Sequence, residues 1–501
     1  MTKGVVVTPH RTASEVGAQV MRDGGNAVDA AIAANAVLCV VYPHMTSVGG
    51  DLMAIVWPAG DAKPIGLIGA GGSGELATID AVRSRGHETM PERGILTVTV
   101  PGTVDAWGRL LERFGTLGLG AVLEPAAALA RDGFVITPQL ADFLKAAAEL
   151  LGKESAAQKL YPPMEPGMVL RNPDLATVLS DIGRGGISGF YRGELAAAIV
   201  GAISRRDGFV TARDLAAHRS HWVEPIGSGY RDLTVYELPP PTQGLAALAM
   251  IARLRELNRE ELQPGPAFVA RFKRIRDACY PLRDRYITDP EFAAAPVEPF
   301  LDPTYAAARG GAGVRDGGDT VYLCAADEHG NLVSLIQSVA FDFGSGIVAE
   351  GTGMLLQNRG CYFSLDPTHV NRLEPRKRTM HTLIPALASR DGRPWASFGN
   401  MGGDGQPQLQ SQVLINLVDF SLEPAEAVAR PRIRVQADGV RTSIEADYPG
   451  AGELARASRD FELMPSKHHS FGHAHAIVID GPGGWRAGAD PRSDGSAEFA
   501  P

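Results

Sequence analysis

The chain has 501 residues, 45% hydrophobic and 21% charged, with a net charge of −9. This is an ordinary globular balance that excludes disordered and fibrous classes. Its acidic excess argues against nucleic acid as a partner, because phosphate binding needs clustered Lys and Arg. The length allows about two to four domains.

Met1-Thr2-Lys3 runs straight into Gly4-Val5-Val6-Val7 and a polar stretch, without the apolar run and small-residue cleavage site of a signal peptide. A strand is expected there, followed by a helix over Ala13 to Arg22 that Gly24-Gly25 closes. Asn26 is placed to cap a second, alanine-rich helix from Ala27 to Leu38. The apolar run Ala30 to Val41 is too short to span a bilayer and is bracketed by Asp29 and Pro43, so no membrane association is expected. Leu52 to Trp57, Pro64 to Ile68 and Ile95 to Val100 read as strands. From Val104 to about Leu257 the pattern is mainly helical, with breaks expected at Pro125, at Gly133 and around Gly183 to Ile187. Leu238-Pro-Pro-Pro-Thr-Gln-Gly244 reads as a stiff loop leading into another helix. The four cysteines, Cys39, Cys279, Cys324 and Cys361, are far apart and form no metal-type pairs. That usage suits buried thiols in a reducing compartment, so a cytoplasmic location is expected.

Gly310 to Gly318 carries five glycines and reads as an exposed, pliable linker. After it the texture changes. Thr320 to Ala326 is a β-type run, Asp327-Glu-His-Gly330 a turn, and Asn331 to Val339 a second β-type run. With the turn centred on Glu328 and His329, residues whose numbers sum to about 657 face each other, which sets Thr320 opposite Gln337 or Ser338. A glycine-rich linker ending at a threonine that begins a strand suits a self-splitting precursor, since the linker can swing away and free the threonine amine. A plain surface loop before a hairpin has the same local pattern.

Several stretches together resemble the γ-glutamyltransferase family. They are Gly24-Gly-Asn-Ala-Val-Asp-Ala-Ala31, Pro43-His44, Gly49-Gly50, Val100-Pro-Gly-Thr-Val-Asp-Ala-Trp107, Pro125 to Phe134 and Pro240-Pro-Thr-Gln-Gly244. In the second half they are Asp327-Glu-His-Gly-Asn-Leu-Val333, Phe343-Gly-Ser-Gly346, Gly353-Met-Leu-Leu-Gln-Asn358, Met401-Gly-Gly403 and Asp490-Pro-Arg-Ser-Asp-Gly495. They run in family order over nearly the whole chain. The resemblance implies an α/β fold, a four-layer αββα N-terminal-nucleophile hydrolase sandwich. It also implies a precursor cut between Asp319 and Thr320, giving a large subunit 1–319 and a small subunit 320–501. The two would form a heterodimer, or a dimer of heterodimers, that acts on a small-molecule amide without a cofactor or metal. Thr320 is then the nucleophile, with its freed α-amine as base. Ser338 is the supporting hydroxyl, and Gly402-Gly403 supply the oxyanion-binding backbone.

The chain departs from the family where a free α-amino acid head group is held. By spacing, the expected Arg falls near Ala70, the acidic residue at Tyr362, the paired serines at His381 and Thr382, and a substrate-contacting Asn at Ala340. An unmatched charge in a closed site is costly, which speaks against glutathione. The remaining pattern resembles the family's side branch that includes oxamate amidohydrolase. Arg359 offers a fork suited to a carboxylate, so Arg359 with His381 is expected to receive a small acidic acyl group. A true γ-glutamyltransferase and a non-enzymatic relic are the alternatives within the family.

Two motifs point elsewhere. Pro64-Ile-Gly-Leu-Ile-Gly-Ala-Gly-Gly-Ser-Gly74, with a helix-like Glu75 to Arg85 after it, reads as a dinucleotide fingerprint, but no acidic residue ends the following strand. His468, His469, His473 and His475 form a histidine cluster. His473 and His475 would share one strand face as a metal requires, yet no carboxylate or cysteine lies beside them. A packed cluster is expected.

Overall fold

The computed structural model describes residues 3–305, 318–481 and 483–501. The linker expected over Gly310 to Gly318 therefore lies outside the described residues, apart from Gly318. Two antiparallel sheets are stacked face to face. The first has seven strands in the order Ser496–Ala500, Gly4–Thr8, Asp319–Asp327, Leu332–Ala340, Asp51–Trp57, Ile65–Gly69 and His221–Val223. The second has six, in the order Gly484–Ala489, Ala474–Gly481, Arg393–Asn400, Ala386–Arg390, Leu233–Glu237 and Ile226–Tyr230.

Three hydrophobic cores show the layering. Val5, Val7, Ile55, Trp57, Tyr322, Ile336, Leu387 and Ile477 fill the space between the sheets. A second core joins the outer face of the first sheet to helices Arg11–Arg22, Ala27–Val41, Thr103–Phe114 and Leu119–Asp132. A third joins the second sheet to helices Gly244–Leu254, Pro266–Tyr286 and Gln406–Val418. Strands buried on both faces read as continuous apolar runs, and Leu332–Ala340 is buried at every position. The architecture is the four-layer αββα sandwich.

The helix Ala27–Val41 is buried along its whole length. Asn26 and Asp29 close a reciprocal capping box at its start, with Asn26 Oδ1 accepting from the Val28 and Asp29 amides and Asp29 Oδ2 accepting from the Asn26 amide.

Four expectations are corrected. Ile95 to Val100 is not a strand: Ile95–Thr97 is one turn of 3-10 helix, because Thr97 bonds the Gly94 carbonyl through both its amide and its hydroxyl. The stretch read as mainly helical contains five strands, the short pair Phe134–Val135 and Val169–Leu170 and the sheet strands His221–Val223, Ile226–Tyr230 and Leu233–Glu237; sheet pairing overrides local propensity there. Pro125 lies inside Leu119–Asp132 and does not end it, because the helix buries Val122, Leu123, Ala126, Ala127 and Ala130. The helix expected over Glu75 to Arg85 shrinks to Ile79–Arg83, capped by Thr78.

Glu237 is fully buried at the end of its strand. Neither of its carboxyl oxygens has a hydrogen-bond partner among the described residues. Burial raises its carboxyl well above the usual range. A raised acid binds its proton more tightly folded than unfolded, so stability is lost as pH rises from the unfolded value of 4.5 toward the folded one. Glu237→Gln should therefore raise the melting temperature at about pH 8, with the gain shrinking toward about pH 5. A pH-independent effect in a calorimetric scan would contradict this.

Candidate active site

The hairpin carries the candidate nucleophile. Gln337 faces Val321 and Ala340 faces Asp319, so Thr320 meets a β-bulge formed by Ser338 and Val339. Thr320 is 1% exposed, and its hydroxyl has no hydrogen-bond partner among the described residues. Ser338 Oγ accepts from the Ala340 amide at 2.7 Å. Ala340 sits at φ +83°, a left-handed conformation uncommon for alanine. Asn358 holds the distorted segment, its amide donating to the Val339 carbonyl (3.0 Å) and its Oδ1 accepting from the Phe341 amide (3.0 Å). Beneath the bulge, Gln337 Oε1 accepts from Asn35 (2.8 Å), and Gln337 Nε2 donates to the Ser47 carbonyl (2.7 Å) and Thr103 (3.0 Å).

Gly318, two residues before Thr320, joins this hairpin to the other candidates. A methyl group placed on Gly318 (φ +113°) would lie 2.9 Å from the Gly403 Cα, 3.1 Å from the Tyr362 hydroxyl and 3.4 Å from the Ala340 carbonyl oxygen. The backbone leading into Asp319 and Thr320 thus runs between Tyr362 and Gly403. Gly402 and Gly403 adopt φ +135° and +50°, conformations that favour glycine. They follow strand Arg393–Asn400 and precede helix Gln406–Val418.

The four candidate recognition residues also converge. Arg359 is 1% exposed; its Nη1 donates to Thr382 Oγ1 at 3.0 Å, and its guanidinium lies 5.2 Å from the Tyr362 ring centre. Its Nε and Nη2 have no partner among the described residues, and neither has the Tyr362 hydroxyl. Burial pushes the Tyr362 hydroxyl well above its usual range against the opposing pull of Arg359, so it stays a proton donor. Burial, reinforced by Arg359, pushes His381 down to about 4 although its bond to Asp51 works the other way. His381 is therefore neutral, with Nε2 donating to Asp51 Oδ2 at 3.0 Å.

Three residues here were given no role in the sequence reading. Asp51 pairs across the sheet with Ser338 and also accepts from the Gly71 amide (3.3 Å) and Gln357 (3.0 Å). Asn358 and Gln243 are the other two. Each lies in or beside a motif block, but nothing in a buried amide or carboxylate on its own marks its partner.

The competing motifs are absorbed by packing. Added methyl groups at Gly71, Gly72 and Gly74 would approach the carbonyl oxygens of Val100, Arg376 and Phe209 to 1.9, 2.5 and 1.9 Å. These glycines accommodate the chain's own backbone rather than a pyrophosphate. The strand begins at Ala474, so His473 precedes it. Among the described residues no group of three or more His, Cys, Asp or Glu is arranged to hold a metal ion.

A family model described as gamma-glutamyltranspeptidase matches residues 13–500. The chain belongs to that family. Across 99% of its length it is 36% identical to the glutathione hydrolase-like YwrD proenzyme of Bacillus subtilis and 34% identical to the oxamate amidohydrolase proenzyme of Klebsiella pneumoniae, covering 98% of each. The cephalosporin acylase of Bacillus halodurans superposes with a TM-score of 0.92 at 35% identity, over 99% of this chain and 96% of that one. The chain is thus an enzyme of the amidohydrolase and transpeptidase type within the N-terminal-nucleophile hydrolases. Among the described residues of this family member, no helix is long and apolar enough to cross a membrane.

Histidines back the glycine turn. Met401 donates its amide to the His473 carbonyl at 3.0 Å, and Tyr42 lies between His10, His44 and His473. Burial pushes His10 and His475 down to about 4 and His473 to about 3, and His44 well below its usual range. Imidazoles kept neutral bind fewer protons folded than unfolded. Their contribution is present above the unfolded value of 6.5 and is lost as pH falls toward about 4. The melting temperature should therefore hold near about pH 7 and drop steeply between about pH 6 and 4, and a flat profile in a thermal-shift scan would contradict it.

Proposed function

We propose that the protein is a self-processing N-terminal-threonine amidohydrolase that cleaves a small acidic amide such as oxamate rather than glutathione. In this reading the precursor is cut between Asp319 and Thr320, and segments 1–319 and 320–501 stay together as a heterodimer. The freed Thr320 amine takes the proton from Thr320 Oγ1, which attacks the substrate amide carbon. Backbone N–H groups of Gly402 and Gly403 stabilise the oxyanion, with Ser338 as the supporting hydroxyl. The C–N bond then breaks as the proton passes to the leaving amine. Water, deprotonated by the same amine, attacks the acyl ester and restores Thr320.

The observation that carries the substrate class is the Arg359 guanidinium. It is buried, bonded to Thr382 alone, and retains two N–H groups without partners among the described residues. Neither Nε nor Nη2 meets a carboxylate of the described residues, so that edge of the guanidinium is not spent on a structural pair. A buried cation without an anion is costly, and a carboxylate on the acyl group would satisfy it beside the Tyr362 hydroxyl. His381 is neutral and adds a polar wall rather than a second charge. The Klebsiella relative is named for oxamate, an amide with such a carboxylate. Ala70, where glutamyl-transferring members place a cation, is buried and apolar.

The test compares oxamate and glutathione as substrates of the cut enzyme. Oxamate should be favoured in kcat/KM, and Arg359→Ala should raise its KM about ten- to hundredfold, the scale of a charge-assisted bidentate contact. Self-cleavage should remain intact. Unchanged KM in the variant would exclude Arg359 as the carboxylate receptor.

A further inference from the structure

Gln243 lies in the loop between strand Leu233–Glu237 and helix Gly244–Leu254 and is fully buried. Its backbone amide donates to the His381 carbonyl at 2.8 Å, while the His381 amide donates to the Pro241 carbonyl at 2.8 Å. The loop is thereby locked against the segment that carries His381 and Thr382.

Its side chain goes further. Nε2 donates both to the Thr382 carbonyl (3.1 Å) and to the Gly403 carbonyl (2.9 Å), and Oε1 accepts from Arg283 Nη1 (3.1 Å). The amide orientation is forced, because a guanidinium only donates and both carbonyls only accept. Arg283 Nη1 also reaches Asp404 Oδ1 at 2.5 Å, and the Tyr280 hydroxyl donates to the Asp404 carbonyl at 2.8 Å. Gln243 and Tyr280 thus hold the Gly403 and Asp404 carbonyls and Arg283 holds the Asp404 side chain, all three from before residue 319.

We infer that Gln243 is a positioning residue that sets the Gly402-Gly403 turn and the Arg359-bearing wall, through Thr382, to one another across the two halves of the chain. This rests on the reading of Thr320 as nucleophile and of the glycine turn as oxyanion donor. In a trans peptide the C=O and N–H point in opposite directions. Holding the Gly403 carbonyl therefore fixes the plane of the Gly403–Asp404 peptide, one Cα beyond the Gly402–Gly403 peptide whose N–H is read as an oxyanion donor, and Gly403 turns between the two planes at φ +50°. Oxyanion stabilisation depends on donors already aimed at the developing charge. The same amide holds the Thr382 backbone, whose hydroxyl accepts from Arg359, so acyl group and oxyanion turn share one anchor. The precursor backbone at Gly318 packs against Gly403, and self-cleavage should depend on that anchor as well.

The test uses Gln243→Met, which keeps the length and loses every side-chain bond, and Gln243→Glu, which keeps the size and the Arg283 bond but cannot hold the two carbonyls when ionised. Each is made by cell-free synthesis, and cutting at Thr320 is followed by intact mass during a chase, beside the wild type. The cut enzymes are then assayed on oxamate, with melting temperatures measured in parallel. Both variants should self-cleave about ten- to hundredfold more slowly. On oxamate kcat should fall by a similar factor with KM nearly unchanged and the melting temperature within a few degrees. A residue that merely supports the fold would lower the melting temperature and leave kcat of the folded, cut enzyme as it was, and Gln243→Glu would behave like wild type. Wild-type rates in folded Gln243→Met overturn the inference. A wild type that never cuts would instead sink the reading of Thr320, and one that cuts but ignores oxamate would sink the substrate, leaving the chase to decide on Gln243.

Discussion

The ladder that places strand Asp319–Asp327 between Gly4–Thr8 and Leu332–Ala340 is the constraint on which the molecule depends. Antiparallel pairing fixes which residues face each other, and a shift of one residue would turn each side chain to the opposite face. Val5 and Val7 must meet the inter-sheet core while Val6 meets the helices, so the register is set by burial on both faces. Thr320 reaches the bulge at Ser338 because of that register. The ladder also crosses the proposed cut. Strands from both sides of residue 319 interleave in the first sheet and adjoin in the second, so both sheets draw on both segments. Backbone hydrogen bonds, rather than the peptide link, would hold a cut chain together.

Around that fixed point the site is assembled from polar side chains that are individually expensive to bury. Gln337, Gln243, Asn358 and Asp51 are fully enclosed, and each is bonded to backbone or to another buried group. Satisfied networks of this kind rigidify a site. Against that background the two N–H groups of Arg359 and the Tyr362 hydroxyl, partnerless among the described residues, stand apart. A charge in such surroundings calls for an anion, which in the proposed reading is a carboxylate on the acyl group.

Much of this was legible in the sequence. The hairpin and the Asn26 cap announce themselves through local rules of turn and cap, while the 402–403 glycines are marked by the family motif that holds them. Collinear motifs supplied the layer architecture. What stayed hidden depends on partners distant in sequence. Ile95 to Val100 looks like a strand until the Gly94 carbonyl captures Thr97, and the strands around Ile226 and Leu233 need each other and Ala386–Arg390 to exist. Gln243 could not be singled out from its loop, because its side-chain bonds go to carbonyls at 382 and 403. The glycine-rich Gly69 to Gly74 stretch misleads for the same reason. Its glycines answer to Val100, Arg376 and Phe209, residues that spacing alone does not bring near.

The central claim is that Thr320 becomes a chain terminus and acts through its own amine. Intact mass of freshly purified protein beside Thr320→Ala tests it most directly. The account predicts two fragments from the wild type, the smaller beginning at Thr320, and a single uncut chain from the variant. A wild type that stays whole under all conditions, or a variant cut at the same bond, would contradict it.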